Sequence, residues 1–141
     1  MQVSSFSICC TLMLLSCYTA TATAGSDDYI CTIERFSQAM GDVGPAYQLL
    51  KDEYVGRQFT VDRSSGVTIG ALKNAVDSKP KIIDSGSSDN SFKVISAVPA
   101  SQYYRGTLVT ALNVMVFVEG EKKPFSYMIN DAVYFGTCVS F

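Results

Sequence analysis

The residue types best placed to do chemistry stand together at Asp84-Ser85-Gly86-Ser87, entered through Ile82-Ile83. Two apolar strand residues ahead of D-[ST]-G-[ST] suit the catalytic turn of an aspartic-type hydrolase. That chemistry needs two carboxylates sharing one proton. A single copy in a small chain can provide it only as a symmetric homodimer, with one Asp84 from each protomer. The downstream apolar-apolar-Gly element is met only poorly, by Tyr134-Phe135-Gly136. The simpler reading is that Asp, Ser and Gly make a polar turn after a short strand, and so short a motif matches often by chance.

The same stretch offers Asp84, Ser87, Ser88 and Asp89 as oxygen ligands for Ca²⁺ or Mg²⁺. It departs from a D-x-S-x-S metal motif, because Gly86 stands at the first Ser position, and EF-hand spacing is absent. A solvated loop is the plainer interpretation. Tyr103, Tyr104 and Arg105 form a third group, of residue types enriched at binding hot spots. Against this, each tyrosine taken singly suits packing at a sheet edge.

What the chain lacks narrows the chemistry further. It has no histidine. That removes Ser-His-Asp and Cys-His nucleophiles, the commonest general base and most zinc and copper sites. No Gly-rich phosphate loop stands between a strand and a helix, and no cofactor is implied. The formal charge is −2 with 11 basic and 13 acidic residues. The sequence pI is about 4.9. No basic block is present to neutralise a phosphate backbone, so nucleic acid is not an expected partner.

Residues 1–24 read as a secretory signal peptide. Phe6 to Tyr18 is mostly apolar, small residues follow, and Ala22-Thr23-Ala24 makes an A-x-A cleavage site ahead of Gly25. The n-region departs from the pattern in having no Lys or Arg. The apolar core is too short for a membrane span, which needs about 20 residues. Leu14-Leu15-Ser16-Cys17 also fits a lipoprotein box that would acylate Cys17. Removal of the leader takes Cys9, Cys10 and Cys17 with it and leaves Cys31 and Cys138. In an oxidising compartment this even pair is expected to form one disulfide. For a loop of about 100 residues, chain entropy assigns such a bridge about 4.7 kcal/mol.

Residues 25–141 read as one disulfide-clasped, mainly β (α+β) domain. About seven antiparallel strands form a sandwich or barrel-like sheet, with one or two short N-terminal helices. Ile30, Ile33, Phe36 and Met40 have nearly helical spacing, which predicts a helix over 29–40 capped by Asp27 or Asp28. Pro45 to Tyr54 is a second helix, with Pro at its start and Gly56 past its end. Residues 58–63 and 67–69 form a hairpin about Gly66, and 71–74 make one helical turn. Further strands lie at 81–83, 91–98, 125–129 and 132–141. Leu108 to Val118 is the longest apolar run after the leader. It reads as a strand near the middle of the sheet, with both faces covered by protein and Met115 and Phe117 in the core.

The ordered series Phe59-Thr60-Val61-Asp62-Arg63-x-x-Gly66, Asp84-x-Gly86-Ser87, Ser91-Phe92-Lys93, Lys123-Pro124-Phe125 and Gly136-x-Cys138 resembles a group of small exported single-domain proteins, mainly uncharacterised bacterial sequences. The resemblance spans roughly residues 56–138. It implies export and a small single domain, and carries no activity with it. The chain is therefore expected to be a secreted or periplasmic binding domain without catalysis. Its ligand is left open among a protein, a glycan and a small molecule, and its oligomeric state is open too. An Asp84 hydrolase and a lipid-anchored envelope protein stand as alternatives.

Overall fold

The computed structural model describes residues 28–74, 78–102 and 105–141. The proposed leader, Cys17, Tyr103 and Tyr104 lie outside the described residues. The elements in chain order are β1 (Tyr29–Gln38), α1 (Pro45–Tyr54), β2 (Gln58–Val61), β3 (Thr68–Gly70), β4 (Lys81–Ser85), β5 (Phe92–Val98), β6 (Leu108–Val114), β7 (Lys123–Ile129) and β8 (Ala132–Ser140). The eight strands form one antiparallel sheet in the order β3-β2-β1-β8-β7-β6-β5-β4. Strands β4 to β8 are a meander, and β1 joins the two ends of the chain by pairing with β8.

The sheet curls into a half-barrel. Alternate side chains point inward, and Tyr29, Cys31, Ile33, Phe59, Val61, Phe92, Val114, Phe125, Tyr127 and Cys138 are almost completely buried. Phe59 meets Phe125 and Tyr127 edge-on across the interior, at ring separations of 5.2 and 5.6 Å. Such T-shaped pairs add to the stabilisation from burial alone. The curl brings the β2–β3 turn against β4 and β5. Gly66 has φ +75°, and a Cβ there would sit 2.8 Å from Val94 Cγ1 and 3.3 Å from Ile82 Cγ1. Arg63 fastens the same junction: its guanidinium lies over Tyr29 at 5.2 Å and Phe92 at 5.8 Å, and its Nη2 donates to the Ser85 carbonyl at 3.2 Å.

Several expectations are corrected. The first segment is a strand, not a helix. Its inward residues Tyr29, Cys31, Ile33 and Phe36 step by two, two and three because a bulge falls between Ile33 and Arg35. One extra residue in a strand imitates helical spacing. Asp28 caps nothing helical; it accepts the Arg63 N–H at 3.0 Å. The chain thus has eight strands and one helix among the described residues. The long apolar run is strand only from Leu108 to Val114, with one further hydrogen bond from the Met115 N–H to the Pro124 carbonyl. Residues 115–118 fold back in a turn in which the Val118 N–H reaches the Met115 carbonyl. Met115 is half-buried and Phe117 is exposed, so Phe117 is not a core residue. β6 is interior to the sheet, but its outward face is partly solvated: Val109 keeps 40% of its accessibility. Residues 71–74 are bent chain without a helical turn.

The helix at Pro45–Tyr54 is as expected. It lays Tyr47, Leu50 and Tyr54 on the core. Tyr47 stacks on Phe36 at 5.4 Å and Tyr54 packs on Tyr134 at 5.1 Å. Cys31 and Cys138 face each other directly across β1 and β8, with their sulfurs at disulfide distance, 2.00 Å. Their Cα atoms are 3.9 Å apart, closer than the usual range of about 4.4–6.8 Å and nearer a directly facing strand pair. The bond ties the first strand to the last, rather than a helix to a strand.

Candidate functional site

Strand register assembles the outward face row by row. Ile95 on β5 faces Ala111 on β6, Ala111 faces Met128 on β7, and Met128 faces Val133 on β8. This single row of four apolar side chains crosses four strands on the side away from the core. Val109 stands one pleat along on β6, and Ile83 is set outward by a bulge in β4 between Ile82 and Asp84. Ile83 and Ile95 remain 52% and 46% exposed. An antiparallel sheet with one solvated face normally alternates apolar inward and polar outward. Here the outward positions break that alternation.

The row is not flat. Ala111 contributes only a methyl between the longer Ile95 and Met128, and a depression of about 390 Å³ opens there, lined also by Ile83, Asn113 and Val133. A second depression of about 460 Å³ shares Ile95, Ala111 and Met128 and extends to Lys79, Lys81 and Val109. Asn113 Oδ1 is buried with no hydrogen-bond partner among the described residues. An unpaired buried acceptor of this kind costs about 1–3 kcal/mol. Among the described residues the linings of the two depressions hold three lysines, Lys79, Lys81 and Lys93, and no carboxylate.

Asp84 sits on β4 rather than in a free loop. Its Oδ1 accepts the Gly86 N–H at 2.9 Å, an Asx turn, and its Oδ2 lies 3.7 Å from Lys93 Nζ. Both oxygens are thus engaged within the chain. Ser87 Oγ accepts the Asp89 N–H at 3.1 Å, and Ser88 Oγ donates to Asp89 Oδ2 at 3.3 Å. These contacts shape the turn after β4. Among the described residues no three of His, Cys, Asp and Glu come together as metal ligands. Arg105 is exposed.

The interior holds a polar track that no sequence motif announces. The Asn74 amide works as a length of strand: Oδ1 accepts the Thr68 N–H at 2.9 Å, and Nδ2 donates to the Gly66 carbonyl at 2.8 Å. Thr68 Oγ1 meets the Tyr127 hydroxyl at 3.2 Å, Tyr127 is hydrogen-bonded to Thr110, and Thr110 Oγ1 meets Ser96 Oγ at 2.6 Å. Burial pushes the Tyr127 phenol above its usual range, with the Thr68 and Thr110 hydrogen bonds pulling the other way. The Tyr134 phenol is pushed up to about 12, first by burial and then by the neighbouring Tyr54 and Asp131. Both phenols stay protonated at neutral pH, and hydroxyls with no base beside them satisfy one another without activating a nucleophile.

No protein-family model matches the chain, and no curated protein or solved structure is significantly similar to it. No helix of the described residues is long and apolar enough to cross a membrane.

Proposed function

We propose that the protein is an exported, disulfide-clasped binding domain. It engages a partner through the outward face of β5 to β8 and catalyses nothing. One observation carries this reading: the apolar row Ile95-Ala111-Met128-Val133 on the outside of the sheet, which the described residues cover only in part. Isolated exposed apolar residues are ordinary. A connected row over a depression is what interaction surfaces look like. The leader pattern in residues 1–24 and the Cys31–Cys138 bond support export. Catalysis at Asp84 has less behind it, since Lys93 and the Gly86 N–H occupy its carboxylate.

A photo-crosslinking side chain at position 111, in the protein exported from its own cell, tests the reading. A discrete adduct at position 111 and none at position 60, on the outward face of β2, is the expected result. No adduct at 111, or equal labelling at both, overturns it. The intact mass of the mature chain separates a soluble form beginning at Gly25 from one acylated at Cys17.

A further inference from the structure

Resting on that reading, we propose that the partner is an acidic protein segment that seats one large apolar side chain in the depression over Ala111. Carboxylates beside this anchor meet Lys79 and Lys81. A polypeptide N–H or side-chain donor meets Asn113 Oδ1 once that amide, buried in the free protein, turns into the depression.

Three observations lead there. The first is shape. Ala111 lies between Ile95 and Met128 in one row, and the resulting depression of about 390 Å³ is open to solvent and broad enough for one bulky side chain. Binding energy concentrates on such anchors when they fill a desolvated pocket. The second is charge. The chain as a whole is acidic, with a net charge of −2, yet among the described residues the lining carries Lys79, Lys81 and Lys93 and no carboxylate. Asp84 pairs with Lys93 at 3.7 Å from outside the lining, and among the described residues Lys79 and Lys81 have no ion-pair partner. Complementary potentials steer encounter and select the partner. A second copy of this chain fits poorly, because a two-fold contact on this face would bring one lysine-rimmed surface against another. The third is the unpaired Asn113 Oδ1. A hydrocarbon layer offers it no donor, whereas a polypeptide does.

The probe is a displayed library of short random peptides, panned against the oxidised mature domain. Enriched peptides are then measured by calorimetry against that domain and against Ala111→Arg and Lys81→Glu. Ala111 and Lys81 both point outward, and Lys81→Glu, on an exposed side chain, keeps the test open if Ala111→Arg does not fold. The expected pattern is a large apolar residue flanked by Asp or Glu. Affinity should fall at least ~10-fold with Ala111→Arg and several-fold with Lys81→Glu, and should weaken from low to high salt.

Other outcomes overturn the proposal in distinguishable ways. Peptides without acidic excess that still lose binding with Ala111→Arg keep the face and remove the acidic partner. No enrichment, or peptides indifferent to both substitutions, remove the face itself and the proposed function with it. Sedimentation of the domain with phosphatidylcholine vesicles containing phosphatidylserine, abolished by Lys81→Glu, assigns the face to a lipid surface. A dimer in light scattering that Ala111→Arg dissociates assigns it to a second copy.

Discussion

On β1, β2 and β8 much of the outward surface is tied to itself. Gln58 Nε2 donates to Thr32 Oγ1 at 3.1 Å, Thr137 Oγ1 to Glu34 Oε1 at 2.8 Å, and Thr60 Oγ1 to the Ile69 carbonyl at 3.4 Å. Ile30, Val139 and the exposed Ile69 share a row there too, but Thr60 stands between Ile69 and Ile30 and divides it. On β5, β6 and β7 the outward row is Ile95, Ala111 and Met128, continued by Val133 on β8. The two halves share one sheet, one core and one disulfide, so the interior cannot account for the difference. The first half completes its own polar contacts. The second leaves apolar area and the Asn113 acceptor incomplete, which is the condition of a surface finished by something else.

The sharpest way to break the comparison is at the seam between β1 and β8, because β8 serves both halves, with Thr137 in the first and Val133 in the second. A Cβ on Gly136 would collide with the Thr32 carbonyl oxygen and lie 3.0 Å from the Glu34 N. Both contacts are backbone, so nothing flexible can give way. The bulge at Glu34 exists in this form because residue 136 has no side chain. Gly136→Ala is expected to lower stability by about 4 kcal/mol, read from urea unfolding. A loss under about 1 kcal/mol would mean that the seam adapts and does not fix the two halves.

Next in size is the Cys31–Cys138 bond, two pairs along the same seam from Gly136. Replacing both cysteines by Ser should cost about 2–5 kcal/mol. Thiol titration of the denatured, unreduced wild-type chain should find no free thiol at either position. Two thiols there would remove the bond and weaken the case for export.

A smaller loss is expected inside the barrel. Asn74→Ala strands the Thr68 N–H and the Gly66 carbonyl, both now served by one amide. A buried group without a partner costs about 1–3 kcal/mol, so a loss of about 2 kcal/mol in urea unfolding is expected. An unchanged midpoint would show that water replaces the amide.

These sites differ in how far they could be read from the chain alone. The cysteine pair is legible by subtraction, because setting aside the leader-like residues 1–24 leaves only two. The helix at 45–54 announced itself through Pro45, Gly56 and the spacing of Tyr47, Leu50 and Tyr54. β1 imitates a helix in the sequence because the extra residue at Glu34 sets the inward Ile33 and Phe36 three apart, while Ile30, on the outward face, and Met40, beyond the strand, extend that spacing by coincidence. The run at 108–118 looked covered on both sides because composition does not say where pairing stops or what lies outside. The apolar row needs the register of four strands at once, and no local window contains it. The polar track is further out of reach, since Thr68 and Tyr127 are 59 residues apart.

The smallest expected effect discriminates best between the two halves. Ile95→Thr with Met128→Thr polarises the outward row without touching an inward side chain. If that row serves a partner, its loss should change unfolding free energy by no more than about 0.5 kcal/mol, as for a surface substitution, while crosslinking from position 111 disappears. The matched change on the other half, Thr32→Val with Thr137→Val, removes two hydrogen bonds that the sheet uses itself. It should cost about 1 kcal/mol and leave crosslinking intact. A stability loss of about 2 kcal/mol or more from the Ile95 and Met128 changes would place the row among the fold's own stabilising contacts, and the comparison would then describe two ways of finishing one sheet rather than a finished half and a binding half.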